Sequence, residues 1–133
     1  MTRLAVIAAL ALAACATTPE QVARQQESAD QQFAEAIGNR VPGEPVECID
    51  STYSNGPQVI DSNRVLYRQG GRVYRNDIPD GCPFLHGDEV MIVETTGTEL
   101  CHNDRFRVLP RGSSIPTGYC RLGPFTPYST PGS

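Results

Sequence analysis

Arg64-Val65-Leu66-Tyr67-Arg68-Gln69, Gly70-Gly71, Arg72-Val73-Tyr74-Arg75-Asn76-Asp77 is the stretch on which the fold turns. Two runs rich in β-branched and aromatic residues flank a Gly-Gly pair. That pattern predicts a hairpin closed by a two-residue turn. Its register sets Tyr67 opposite Tyr74, Arg68 opposite Val73 and Arg64 opposite Asp77. Side chains alternate across a strand. Val65, Tyr67 and Tyr74 therefore share one face, and Leu66, Val73, Arg64, Arg68 and Arg75 share the other.

Working outward, strand and turn signals repeat about every ten residues. Residues 46–50 read as a first strand around Cys48, and Asn55-Gly56-Pro57 is a turn. Val59-Ile60 adds a short strand. The turn Ile78-Pro79-Asp80-Gly81-Cys82-Pro83 leads to Val90-Met91-Ile92-Val93. This continuous apolar run is expected to be the most buried strand. Leu100-Cys101 begins a return. Residues 105–109 alternate, with Phe106 and Val108 inward, and residues 110–118 form a loop. Tyr119 to Phe125 closes the domain. Five or six short strands of this kind predict a mainly β fold, a small antiparallel sheet or partly open barrel spanning residues 46–126. Residues 127–133, with little apolar content beyond Tyr128, are expected to be a disordered tail.

Before the domain comes a helix. Thr18 can cap it, Pro19 suits its first position, Gln21 completes a capping box, and Gly38-Asn39 stops it. Its apolar positions, Val22, Ala29, Phe33 and Ile37, form a narrow stripe. One reading is a solvated stalk within residues 15–45. The other is a helix packed on the domain or a partner through Phe33 and Ile37. Arg40-Val41-Pro42-Gly43-Glu44-Pro45 breaks regular structure and marks the boundary.

The first residues have the three parts of an export signal: Arg3, an apolar run over residues 4–12, and a small-residue exit. The run is shorter than the about 20 residues a membrane-spanning helix needs. Leu12-Ala13-Ala14-Cys15 resembles the lipobox of bacterial lipoproteins. It implies that residues 1–14 are a signal peptide and that Cys15 is lipidated, anchoring the chain to a membrane. Ala16, rather than an aspartate, then implies the outer membrane, facing the periplasm.

Five cysteines are present. With Cys15 given to lipid, Cys48, Cys82, Cys101 and Cys120 remain, an even number that reads as two disulfides in an exported chain. Three pairings are open. Cys82–Cys101 with Cys48–Cys120 is favoured here, the first closing a local unit and the second tying the ends of the domain. Zinc is the alternative, with His86 and His102 as further ligands. Spacings of 34, 19 and 19 residues, without a close C-x-x-C pair, count against it.

The formal net charge is −4, and all 11 basic residues are arginines. An acidic chain without a basic block argues against nucleic-acid binding. No phosphate loop, dinucleotide fingerprint or G-x-S-x-G elbow occurs, so neither a cofactor nor a metal is expected.

These features favour a non-catalytic binding or structural role in the cell envelope, toward an unknown envelope protein or ligand. The expected binding surface is Tyr67 and Tyr74 with Arg64, Arg68 and Arg75. Those arginines read either as an anion site or as a solvated sheet face whose stems cover apolar neighbours. The alternative function is a small hydrolase-like periplasmic enzyme using His102 and Asp104 as an acid–base pair.

Cys48-Ile49-Asp50, Arg72-Val73-Tyr74-Arg75-Asn76 before Gly81-Cys82-Pro83, Leu100-Cys101 with Asp104, and Cys120-Arg121-Leu122-Gly123-Pro124-Phe125 run through the predicted domain. In these stretches the chain resembles an uncharacterised family of short Gram-negative lipoproteins. The resemblance implies an exported, cysteine-paired domain and carries no activity, substrate or catalytic residue.

Overall fold

A computed structural model describes residues 16–52 and 55–132. The signal peptide and Cys15 lie outside the described residues. One helix, α1 (Pro19–Ile37), precedes ten strands: β1 (Val41–Pro42), β2 (Cys48–Asp50), β3 (Pro57–Val59), β4 (Arg64–Gln69), β5 (Arg72–Asp77), β6 (Val90–Val93), β7 (Glu99–Cys101), β8 (Arg105–Leu109), β9 (Tyr119–Arg121) and β10 (Phe125–Ser129). They form three antiparallel sheets, of order β1-β10-β5-β4-β3, β2-β7 and β6-β8-β9. Together they do not close into a barrel.

The β4–β5 hairpin has the register its sequence predicts, with Tyr67 opposite Tyr74 and Arg64 opposite Asp77. Gly70 takes φ 58°, a conformation that costs a side-chain-bearing residue energy and glycine little. Period-two alternation then sends the two faces into two different cores. Val65 and Tyr67 join Ile49, Ile78, Cys82, Leu85, Leu100, Phe106, Val108, Leu122 and Phe125 in the main core. Leu66 and Val73 join Ala29, Ala36, Ile37, Ile60 and Tyr128 in a second core beneath the helix.

The helix is therefore not a solvated stalk. Thr18 Oγ1 accepts from the Gln21 amide and Gln21 Oε1 accepts from the Thr18 amide, completing the expected capping box. Its face of Ala29, Phe33, Ala36 and Ile37 lies on the sheet, while Val22 remains exposed.

Three other expectations fail. Residues 127–133 are not a disordered tail through their length: β10 lies between β1 and β5, and Tyr128 is buried. Pro127 is tolerated there because its carbonyl accepts from Gly43, on the β1 side. The missing N–H faces the same way, past the end of a two-residue strand, and β5 loses no donor. Val90-Met91-Ile92-Val93 is not the most buried strand. It is the edge of its sheet, with Met91 and Val93 against the core and Val90 and Ile92 exposed.

The third correction is the disulfide pairing: the bridges are Cys48–Cys101 and Cys82–Cys120. Register explains the first. β2 and β7 place Cys48 directly opposite Cys101, with Cα atoms 4.0 Å apart. Backbone hydrogen bonds join the flanking pairs, His102 to Glu47 and Ser51 to Thr98. Cys48 and Cys101 thus occupy the non-hydrogen-bonded position, where opposed side chains come closest. In the second bridge, Cys120 points inward from β9 to reach Cys82, which is fully buried after the Asp80-Gly81 turn.

Asn76 fixes the junction between sheets. Fully buried at the end of β5, it donates to the Gly123 carbonyl at 2.7 Å and accepts from the Gly123 amide at 2.8 Å. Position 123 admits only glycine without rearrangement, because a Cβ there would overlap the Asp77 carbonyl.

Candidate functional site

The hairpin face carrying the arginines lies under α1. Arg64 reaches Asp30 on the helix and Asp61 at the entry to β4, both at 2.8 Å. Its guanidinium stands 5.3 Å from the Phe33 ring centre. Arg75 stands 5.6 Å from the same ring and donates to the Tyr128 hydroxyl at 2.9 Å. Phe33 meets Tyr128 edge to face. Burial works against the Arg64 charge, but the hydrogen bonds it donates to Asp61 and Asp30 outweigh it and raise the pKa. The hydrogen bond from Arg64 holds the Asp30 carboxyl below its ordinary value. Arg68 donates to Gln58 at 3.0 Å. Arg64 and Arg75 thus fasten the helix to the sheet, flanking its aromatic residue.

Tyr67, expected at the surface, is 2% exposed. Its ring packs against Phe125 at 5.9 Å. Tyr74 is half-buried against the same core. Sequence alternation placed both on one face of the hairpin, but the smaller sheets cover that face. The pair is therefore not an open binding surface.

A partly open cleft of about 220 Å³ lies where the three sheets meet. Ser51, Gly56, Pro57, Tyr67, Met91, Val93, Thr95 and Leu100 line it. The Tyr67 hydroxyl is shielded from solvent and has no hydrogen-bond partner among the described residues. Burial pushes its pKa well above the ordinary phenol value, which keeps the proton on the oxygen. A second cleft of about 510 Å³ and mixed character runs between α1 and the loops, lined by Val22, Gln25, Gln26, Ile60, Asp61 and His86 among others.

His102 and Asp104 take different partners. His102 Nδ1 lies 2.9 Å from Glu47 Oε2. Asp104 Oδ2 accepts from the Cys101 amide at 2.8 Å, closing a turn in which Asn103 has φ 73°. Asp104 is thereby committed to the backbone. His86 flanks a similar turn, where Glu89 accepts from the amides of His86 and Gly87. Desolvation opposes the Glu89 charge, but those amide hydrogen bonds prevail and lower its pKa.

Cys48, Cys101 and Glu99 bring three potential metal donors within 4.8 Å of one another. Two of them are the sulfurs of one disulfide, and zinc binds thiolate.

Sequence reasoning missed an exposed cluster around Tyr119. On the outer face of the β6-β8-β9 sheet, the Arg105 and Arg107 guanidinium carbons lie 4.7 and 5.0 Å from the Tyr119 ring centre. The Tyr119 hydroxyl donates to Glu94 at 2.9 Å, and Arg105 donates to the same carboxylate at 2.8 Å. The Tyr119 hydrogen bond, reinforced by the arginines, lowers the Glu94 pKa. The alternation of residues 105–109 already sent both arginines outward. Nothing local to Tyr119 indicates that β9 pairs beside them.

The model of a family of unknown function, DUF6491, matches residues 1–128. The chain belongs to that family. No curated protein and no solved structure matches it.

Proposed function

We propose that this member of a family of unknown function is a lipid-anchored protein of the bacterial cell envelope. Its disulfide-stapled β domain has a non-catalytic binding or structural role, in the periplasm at the outer membrane. The observation that carries the reading is the use of the cysteines. Four of five are consumed by two disulfides, and the fifth stands at position 15, directly behind Leu12-Ala13-Ala14. Disulfides persist in oxidising compartments, which supports export. An exported chain with one leftover cysteine behind an apolar leader has a specific use for it.

Helix α1 begins at Pro19, four residues after Cys15. Four extended residues span at most about 14 Å. An anchor at Cys15 therefore holds the start of the helix close to the lipid headgroups. Because the helix lies against the sheet, the whole domain is held near the bilayer, with the cleft along α1 beside it. Three acyl chains, at roughly 0.8 kcal/mol per buried methylene, would make the attachment effectively permanent.

The test is metabolic labelling with a radioactive or alkyne fatty acid, followed by intact mass after alkylation without reductant. A chain starting at Cys15, carrying acyl mass and no alkyl adduct, is expected. The Cys15→Ser variant should lose the label and retain its leader. Undiminished labelling in that variant, or adducts on the other four cysteines, would overturn the reading.

A further inference from the structure

Strands at the edge of a sheet can pair with another chain, and short length, proline and charge are the usual means of preventing it. Most edges of this fold use one of them. β1 holds Pro42 within its two residues, and β3 begins with Pro57. β2, β7 and β9 are three residues long and carry Asp50, Glu99 and Arg121. β6 uses none of these devices. It is Val90-Met91-Ile92-Val93, and among the described residues no strand pairs with its second side. Met91 and Val93 pack against the core, while Val90 and Ile92 are exposed on the outer face. The phase of the ladder says which backbone groups are open. Glu94 donates to the Arg105 carbonyl at 2.9 Å, continuing the register that sets Ile92 opposite Arg107. Residues 90, 92 and 94 therefore turn their amides and carbonyls toward β8, and Met91 and Val93 turn theirs away from it. The cleft lined by Met91, Val93 and Thr95 leaves space beside that edge.

We infer that β6 is the seam of a two-fold dimer of this chain, in which the β6 strands of two copies pair antiparallel with Ile92 on the axis. Met91 of each copy then exchanges backbone hydrogen bonds with the partner's Val93, and the apolar run is its own complement. Charge selects the register. Both ends of the run carry a carboxylate beside an arginine: Asp88 with Arg111 at 3.2 Å and Glu94 with Arg105 at 2.8 Å. Centring the pair on Met91 would set Asp88 opposite the partner's Glu94. Centring it on Val93 would bring the two Glu94 residues to diagonal positions about 7–8 Å apart. Centring it on Ile92 sets Val90 opposite the partner's Glu94 and leaves the two Glu94 residues four positions apart, roughly 13 Å along the strand. No like charges then face each other across the seam. Ile92 meets the partner's Ile92 in a non-hydrogen-bonded position, the kind that Cys48 and Cys101 occupy between β2 and β7. Four residues a side make a small interface, so the pairing is weak and grows with local concentration, as anchors on one membrane would provide. The inference gives a partner to the binding or structural role proposed above and rests on that role.

Cysteine cross-linking tests the seam and its register together. The full chain carrying Ile92→Cys, Val90→Cys or Glu94→Cys would be expressed, and its cell-envelope fraction oxidised with copper phenanthroline. Non-reducing electrophoresis then reads the dimer, and peptide mapping locates the new bridge and the two native ones. All three positions lie on the outer face, and none belongs to either core. Ile92→Cys should give a dimer bridged from 92 to 92. Val90→Cys alone and Glu94→Cys alone should each give about tenfold less, because their paired distances exceed what a disulfide spans. Co-expressed, those two should give a dimer bridged from 90 to 94. Absence of a dimer with Ile92→Cys would overturn the seam. Equal yields from all three single variants would show random collision and would overturn it too. Membrane partition of the same samples reads the anchor separately, so the two proposals fail independently.

Discussion

The five-stranded sheet and the two smaller sheets solve the same problem by different means. The larger sheet has two strands of six residues and one of five, is covered on both faces, and contains no cysteine. The smaller sheets have strands of three to five residues, leave Val90, Ile92 and Tyr119 exposed, and hold three of the four bridged cysteines. Where paired strands are long and doubly buried, hydrogen bonding and packing hold the chain. Where they are short, the chain is tied covalently. Staples appear where a small core is least able to stabilise its own loops.

Three experiments would break or sharpen that contrast. The largest effect is expected from Cys82→Ala with Cys120→Ala, which removes the buried bridge. A loss of about 2–5 kcal/mol is expected in urea unfolding. Amide exchange should accelerate first around Phe106, Val108 and Leu122, with β4 and β5 protected longest. Uniform loss of protection would show that the shared core makes the two regions one cooperative unit.

Phe33→Ala probes the other side. It removes the half-buried ring between Arg64, Arg75 and Tyr128, at about 1–2 kcal/mol by area. Proteolysis should then cut within α1 while both disulfides and the smaller sheets stay intact. Unchanged resistance of the helix would mean that Ala29, Ala36 and Ile37 suffice to dock it.

Acidification should give the smallest effect. The Asp30 and Glu89 carboxyls titrate below their ordinary values of 3.8 and 4.5. A depressed pKa contributes stability that is present above the unfolded-state value and is lost as pH falls through the folded-state value. Stability should be flat from neutrality to about pH 5 and decline below 4.5. Asp30→Asn should remove part of that decline, read from helix exchange rates. An identical acid profile in the variant would assign the sensitivity to the smaller sheets.

The hairpin was legible because its information is local: Gly70-Gly71 sets the turn, and alternation sets the faces. Faces do not say what covers them. Tyr67 was correctly placed beside Tyr74, yet nothing in residues 64–77 tells that other sheets close over that side or that α1 closes over the arginines. Val90-Met91-Ile92-Val93 misled for a related reason. An apolar run reports the chemistry of a strand but not the number of its neighbours, and among the described residues β6 pairs with β8 alone. The bridges depend on the pairing of β2 with β7, about fifty residues apart in sequence, which spacing alone does not encode. The candidate site was the least legible part. The cleft between the sheets is assembled from segments of all three, which lie far apart in the chain.

The position of β10 has a consequence for timing. It pairs with β1 at one edge and with the hairpin at the other, and Phe125 and Tyr128 complete the two cores. A growing chain can therefore finish neither core until synthesis has passed Ser129. Until then neither face of the hairpin is fully covered, and contacts over such long sequence separations form slowly. The architecture thus postpones its own completion until its last strand is available.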